Sequence, residues 1–234
     1  MTVAIGGKPI GGATLGILML DARFPRVPGD MGNGDSWPFP VLYEIVRGAT
    51  PERVVRHRAE GLDGAFLNAA RRLVDRGATV LATVCGFLSL FQSELAAHAG
   101  VPVASSTLMQ VPVLDLMLPP GKWAGVVTVS RESLSADHFT AVGARADTPV
   151  EGTEGGRELT RVLIGNEAQL DMAAAEADVT AAARRLTARC PEVGALVLEC
   201  ANMAPYAAAV RRATELPVHD IYSFISWAHS GFDI

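Results

Sequence analysis

Lysine is almost missing from this 234-residue chain, which has only Lys8 and Lys122. Neither sits in a Schiff-base setting, so no pyridoxal-type chemistry, and no cofactor, is expected. Cysteine is scarce and odd in number, at three, which argues against a disulfide framework and for a reducing compartment. No basic block interrupts a net charge of −5, so the clustered cations that neutralise phosphates are lacking and nucleic acid is not an expected partner. No long hydrophobic run exists near the N-terminus: Leu15 to Leu20 ends at Asp21, too short for a membrane span, with no small-residue cleavage site after it. The expectation is a cytoplasmic protein with no membrane partner. The five histidines, at 57, 98, 138, 219 and 229, lack ligand spacing, so no metal site is expected. His98 and His138 read as helix-face residues.

What is present is a core. Apolar residues make up 49% and charged residues 19%, which marks a globular chain able to form one large domain or two lobes. The chain also repeats itself. Cys85 ends the run Val80-Leu81-Ala82-Thr83-Val84, and Cys200 ends Ala195-Leu196-Val197-Leu198-Glu199. Pro102 and Pro217 each stand 17 residues after their cysteine, inside short strand-like segments. Leu15-Gly16-Ile17-Leu18-Met19-Leu20-Asp21 pairs with Ala124-Gly125-Val126-Val127-Thr128-Val129-Ser130.

Residues 1–13, with Gly6-Gly7 and Gly11-Gly12, read as a flexible lead-in, because a nucleotide-binding glycine loop follows a strand rather than preceding one. Strands are expected at 15–21, 80–84, 101–104, 124–129, 149–151, 195–198 and around Val218. Helices are expected at 62–76 (closed by Gly77), 89–99 (closed by Gly100), 111–118, after Ser135, 155–163, 172–189, 206–214 and 222–230. The Pro- and Gly-rich stretch Phe24–Pro40 is a long loop whose tip, Trp37 to Pro40, either packs on the core or covers a substrate. Arg53, Arg56 and Arg58 read as a solvated face. Alternating short apolar runs and helices predict an α/β fold with parallel sheets, and ligands in such sheets bind beyond the strands' carboxyl ends. Both repeat cysteines lie there.

A thiol between a strand and a helix start is near backbone N–H groups, a setting that favours thiolate. If the two copies face each other, Cys85 and Cys200 bracket one substrate carbon, one removing a proton and the other returning one to the opposite face. The N–H groups of Gly86 and Ala201 are candidates for holding the enolate charge. Ser106, Thr107, Ser130 and Asn202 are polar candidates nearby. A cysteine is also commonly a small buried hydrophobe, and Cys190, without a repeat mate, reads as structural. Glu199 either points away from the site by strand alternation or tunes the helix entrance.

Thr83-Val84-Cys85-Gly86 and Leu198-Glu199-Cys200-Ala201-Asn202, set in duplicated α/β halves, resemble the aspartate/glutamate/hydantoin racemase superfamily. The resemblance implies two flavodoxin-like parallel-sheet lobes related by pseudo-twofold symmetry with the active site between them. The lobes would span 1–118 and 119–219, with 220–234 packing back on the first. It implies a cofactor-independent racemase or epimerase of an amino acid, hydantoin or related carbon acid, with Cys85 and Cys200 catalytic and Asp21 binding substrate. Family members are often dimers, so a homodimer is an open expectation, as is a small-molecule substrate. Cys85-Gly86-Phe87 and Cys200-Ala201-Asn202 depart from the glutamate racemase motifs, and Phe87 with the Trp37/Phe39 loop points to a less polar pocket. Two thiols disfavour the arylmalonate decarboxylase pattern, which keeps only the second. A maleate isomerase-like enzyme and a non-catalytic binding protein remain alternatives.

Overall fold

The computed structural model describes residues 6–12 and 14–231. Of the expected lead-in, residues 1–5 and 13 lie outside the described residues, as do 232–234 of the closing segment. The described lead-in glycines belong to no helix or strand.

Among the described residues, eight strands form two all-parallel sheets. In the first, β1 (Leu15–Leu20), β2 (Val41–Val46), β3 (Val80–Thr83) and β4 (Val103–Ala104) lie in the order β2-β1-β3-β4. In the second, β5 (Trp123–Thr128), β6 (Val150–Gly152), β7 (Val193–Leu198) and β8 (Val218–His219) repeat that order as β6-β5-β7-β8. The sequence repeat is therefore a repeat of topology. β1 and β3 are buried at every residue, as expected for parallel strands covered by helices.

The helices follow from apolar stripes and their stops. α1 is Pro51–Val55, α2 Asp63–Arg76, α3 Gln92–Ala99 and α4 Val111–Met117. In the second half α5 is Ala136–Thr140, α6 Leu159–Gly165, α7 Met172–Arg189, α8 Ala207–Thr214 and α9 Ile221–Ser230. α2 buries Phe66, Ala69, Ala70 and Leu73 and ends at Gly77, whose φ of 132° suits glycine. α7 is capped by Asp171, which accepts from the Ala174 N–H, and buries its alanine stripe with Val179 and Leu186.

Several elements differ from expectation. β2 and α1 were not foreseen, because an edge strand carrying Glu44 and a five-residue helix give weak periodic signals. The helix expected from Ser89 begins earlier, as a 3-10 turn over Gly86–Phe91 leading into α3. The helix expected at 155–163 starts at Leu159, where Asp178 of α7 accepts from the N–H groups of Arg157, Glu158 and Leu159. The 24–40 loop is tied down rather than loose. Trp37 stacks on Tyr222 at 5.2 Å, Phe39 stacks on His229 at 3.6 Å, and Trp37 Nε1 donates to the Met31 carbonyl. α9 thereby sits against the loop, and its Phe224 and Trp227 also border Pro102 and Val103 at the edge of the first sheet. No helix among the described residues is long and apolar enough to cross a membrane.

Gly16 of β1 and Gly125 of β5 are equivalent positions, each overlain by a helix. A Cβ on Gly16 would lie 2.7 Å from Leu81 and 3.1 Å from Leu73 of α2; on Gly125 it would lie 2.9 Å from Val193 and 3.0 Å from Leu186 of α7. Gly16→Ala and Gly125→Ala are each expected to lower unfolding free energy by about 1–3 kcal/mol through overpacking, read as a shift in the urea midpoint.

Candidate active site

β3 and β7 run side by side with their inner partners and stop at matching places. Val84 N–H donates to Leu18 O of β1, and Glu199 N–H donates to Val127 O of β5. The next residue in each case is the cysteine. Cys85 is extended (φ −141°, ψ 116°) and opens the 3-10 turn Gly86–Phe91; Cys200 (φ −78°, ψ 126°) opens the turn Ala201–Tyr206. Both thiols line one cavity between the lobes, of about 20 Å³, room for about one water molecule.

The floor of that cavity is Cys85, Cys200, Glu199 and Asn202. Its roof comes from the two repeats equally: Pro51 and Val55 of α1, and Leu163 and Ile164 of α6. Phe24 and Arg26 of the long loop close the side, the Arg26 guanidinium lying 4.5 Å over the Phe24 ring. Arg26 is the only cation among the lining residues. The space left between these residues is smaller than a ligand of several heavy atoms.

Burial pushes both thiols up, and the nearby Glu199 carboxylate pushes them further. The N–H groups of Phe87 and Asn202 aim at the two sulfurs and act the other way, as the sequence suggested a turn start would, but desolvation outweighs them. At rest the cysteines are thiols.

Glu199 does not point away. β7 ends at Leu198, so strand alternation no longer governs it, and its carboxyl is buried beside Gly86. Oε2 accepts from Thr128 Oγ1 at 2.7 Å, while Oε1 has no partner. Burial raises this carboxyl to about 7, against the Thr128 hydrogen bond that favours the charged form. Asn202 links the second thiol to the loop: its Oδ1 accepts from Cys200 Sγ at 3.5 Å, and its Nδ2 donates to Asp30. Asp30 is buried, accepts from Gly32 N–H and pairs with Arg26 at 3.2 Å; burial raises its carboxyl, opposed by Arg26.

Of the residues singled out from sequence, Cys85, Cys200, Phe87 and Asn202 meet at the cavity. Gly86 and Ala201 are buried at the turn starts but do not line it, because the next N–H groups face the sulfurs. Thr107 lies beneath the floor, its hydroxyl on the Glu199 carbonyl at 3.3 Å, and Ser106 caps its own turn at Leu108. Ser130 is spent on Ser133, with Oγ atoms 2.9 Å apart. Asp21 turns from the cavity to accept from Gly48 N–H and to meet Arg47, fixing the turn after β2. His138 is a buried capping residue rather than a helix-face one: its Nδ1 accepts from Ser135 N–H, burial pushes it down to about 4, and Phe87 meets its ring edge-on. Arg58 is not merely solvated, since it ion-pairs with Asp137 and bonds Ser135 across the lobes at 2.8 Å. Asp30 and Arg26 carry no periodic or motif signal, so sequence reading missed them. Cys190 is half-buried at the end of α7, outside the cavity. No cluster of three potential metal ligands occurs among the described residues.

A buried carboxyl raised from 4.5 to about 7 is protonated in the folded state while still ionised in the unfolded one. Its contribution to stability is therefore full below pH 4.5 and is lost as pH rises towards 7. Relative to wild type, Glu199→Gln is expected to gain on the order of 3 kcal/mol across that window, measured by urea unfolding at stepped pH.

No protein-family model matches the chain. A dimethylsulfoniopropionate lyase of Durusdinium sp. clade D is 28% identical over 214 residues, covering 89% of this chain and 71% of that protein. Dimethylsulfoniopropionate lyase 5 of Emiliania huxleyi is 29% identical over 231 residues, covering 92% of this chain and 45% of that protein, so the chain spans less than half of that relative's length. Among solved structures, unliganded arylmalonate decarboxylase superposes with a TM-score of 0.59 at 18% identity, covering 92% of this chain and 90% of that one. A glutamate racemase of Bacillus anthracis gives 0.60 at 12% identity, covering 95% and 83%. The likeness to these structures shows the fold: an α/β chain of two repeated four-stranded parallel sheets.

Proposed function

We propose that this chain is a cofactor-independent carbon-acid enzyme in which Cys85 and Cys200 serve proton transfer, and that its reaction is a lyase-type β-elimination on a sulfonium carboxylate. The observation that carries the proton-transfer reading is that both thiols line one cavity from equivalent positions of the two sheets. The lyase chemistry is supported by the dimethylsulfoniopropionate lyases that match about nine-tenths of the chain.

The charge distribution suits such a substrate. Dimethylsulfoniopropionate carries a cationic sulfonium and a carboxylate. Arg26 offers the carboxylate a guanidinium, while Glu199 and the thiols form a floor that a cation stabilises in its ionised form. Entry of the cation thus lowers the thiol pKa where the resting cavity raises it. A thiolate then takes the proton α to the carboxylate; that C–H pair forms the C=C bond, and the C–S pair leaves with dimethyl sulfide, giving acrylate. The small cavity and apolar roof exclude water during the step.

Two-sided thiols also suit inversion at carbon, so racemisation is the second reading. It predicts loss of optical activity in a single-enantiomer amino acid or hydantoin, with deuterium entering from heavy water. Under the elimination reading, wild type releases dimethyl sulfide from dimethylsulfoniopropionate, detected by gas chromatography, and Cys85→Ser and Cys200→Ser each lose at least about a hundredfold in rate. Arg26→Gln is expected to raise KM for dimethylsulfoniopropionate at least about tenfold. Racemisation without sulfide release would overturn the lyase assignment, and full activity in both serine variants would overturn the thiol chemistry.

A further inference from the structure

The pseudo-symmetry of the two lobes is broken at one buried position. The residue before Cys85 is Val84 and the residue before Cys200 is Glu199; both make the same backbone bond to the neighbouring strand, and both are almost fully buried. A valine there serves the fold in the first lobe. A carboxyl at the same place in the second is costly to bury, the more so with one oxygen unpartnered. That oxygen, Oε1, lies over Gly86, the residue after the other cysteine, where a side chain would collide with it. Glu199 is thus covalently next to Cys200, packed on the neighbour of Cys85, and part of the cavity floor with both.

We infer that Glu199 is the proton-accepting partner of the cavity thiols: its free Oε1 takes the proton from a cysteine when substrate enters, which leaves the thiolate that attacks the substrate C–H bond. In that step the S–H bond breaks with its electron pair staying on sulfur, and an O–H bond forms on Oε1. Thr128 continues to donate to Oε2. The thiolate then becomes a thiol again by taking the substrate proton, and the proton on Glu199 leaves to solvent as product departs. One proton is released per turnover, as conversion of the zwitterion to dimethyl sulfide and acrylate anion requires. A carboxyl that titrates near neutrality is suited to accept and release a proton in this way. Arg26 and the two thiols are the charged or titratable groups that line the cavity with it, and Asp30 acts on Cys200 from beyond that lining. The inference rests on the thiol reading above and names what activates those thiols.

Carbon-13 NMR of protein labelled at glutamate carboxyls tests it without turnover, Glu199→Gln identifying the resonance. The expected result is a midpoint near 7 that shifts when both thiols are replaced in Cys85→Ser/Cys200→Ser. A midpoint below 5, or a curve indifferent to both thiols, overturns the inference. In the activity assay, kcat/KM for dimethylsulfoniopropionate in wild type falls below pH 7. Glu199→Gln loses that limb together with at least tenfold in rate, and Glu199→Asp restores the limb. A merely structural Glu199 would lower the rate and leave the limb in place. Absence of sulfide release from wild type would reject the elimination, while the NMR titration would still decide the role of Glu199.

Discussion

Gly86 and Glu199 touch across the seam between the two sheets, and that contact sets how closely the two thiol-bearing strand ends approach. The carboxyl of Glu199 fills the place where a Cβ on residue 86 would stand, and the Glu199 carbonyl lies 2.8 Å from that same point. Any larger residue at 86 would push the lobes apart. With glycine there, the turn after Cys85 folds directly onto the end of β7, and Thr107 closes the underside through its bond to the Glu199 carbonyl. The seam is held further out by Arg58 with Asp137, and on another side by Asn202 with Asp30. Parallel topology does the rest, since both sheets present their carboxyl ends to this seam.

That closeness has an electrostatic consequence. The cavity gathers two thiols and a carboxylic acid in a place with little water, where burial raises all three groups and the Glu199 carboxylate opposes ionisation of both thiols. Resting thiols in such a site are poor nucleophiles and poor bases. Under the proposed elimination, reactivity arrives with the ligand, through a positive charge that offsets the anions. The same seclusion that silences the thiols in the resting state strengthens every charge interaction once a substrate is enclosed.

Much of this was legible in the chain because repeats constrain one another. α7 occupies the expected Met172–Arg189, and β1, β3, β5 and β7 fall within two or so residues of the apolar runs that announced them. The equal spacing from cysteine to proline located both thiols at strand ends. β2 escaped because Glu44 interrupts its apolar run at the edge of the sheet, and α1 because five residues are too few to present a full apolar period. Asp21 was a site candidate through the family resemblance, and Ser130 as a polar residue near the end of β5. Asp21 instead accepts from Gly48 N–H in the turn after β2, and the Ser130 hydroxyl meets Ser133.

The sequence by itself determined the fold class, the duplication and the two thiols, because strand and helix periodicity and matched spacing are properties of neighbours along the chain. Only the tertiary structure decided which way Glu199 faces, that Asn202 couples Cys200 to Asp30, and that Arg26 is the cation at the cavity wall. These depend on groups far apart in the chain, such as Gly86 with Glu199 and Asp30 with Asn202, or on a loop with no periodicity, meeting in a desolvated space. The charge state of a thiol is likewise set by what is buried around it, and burial is decided by packing across the seam rather than by the residues on either side of a cysteine.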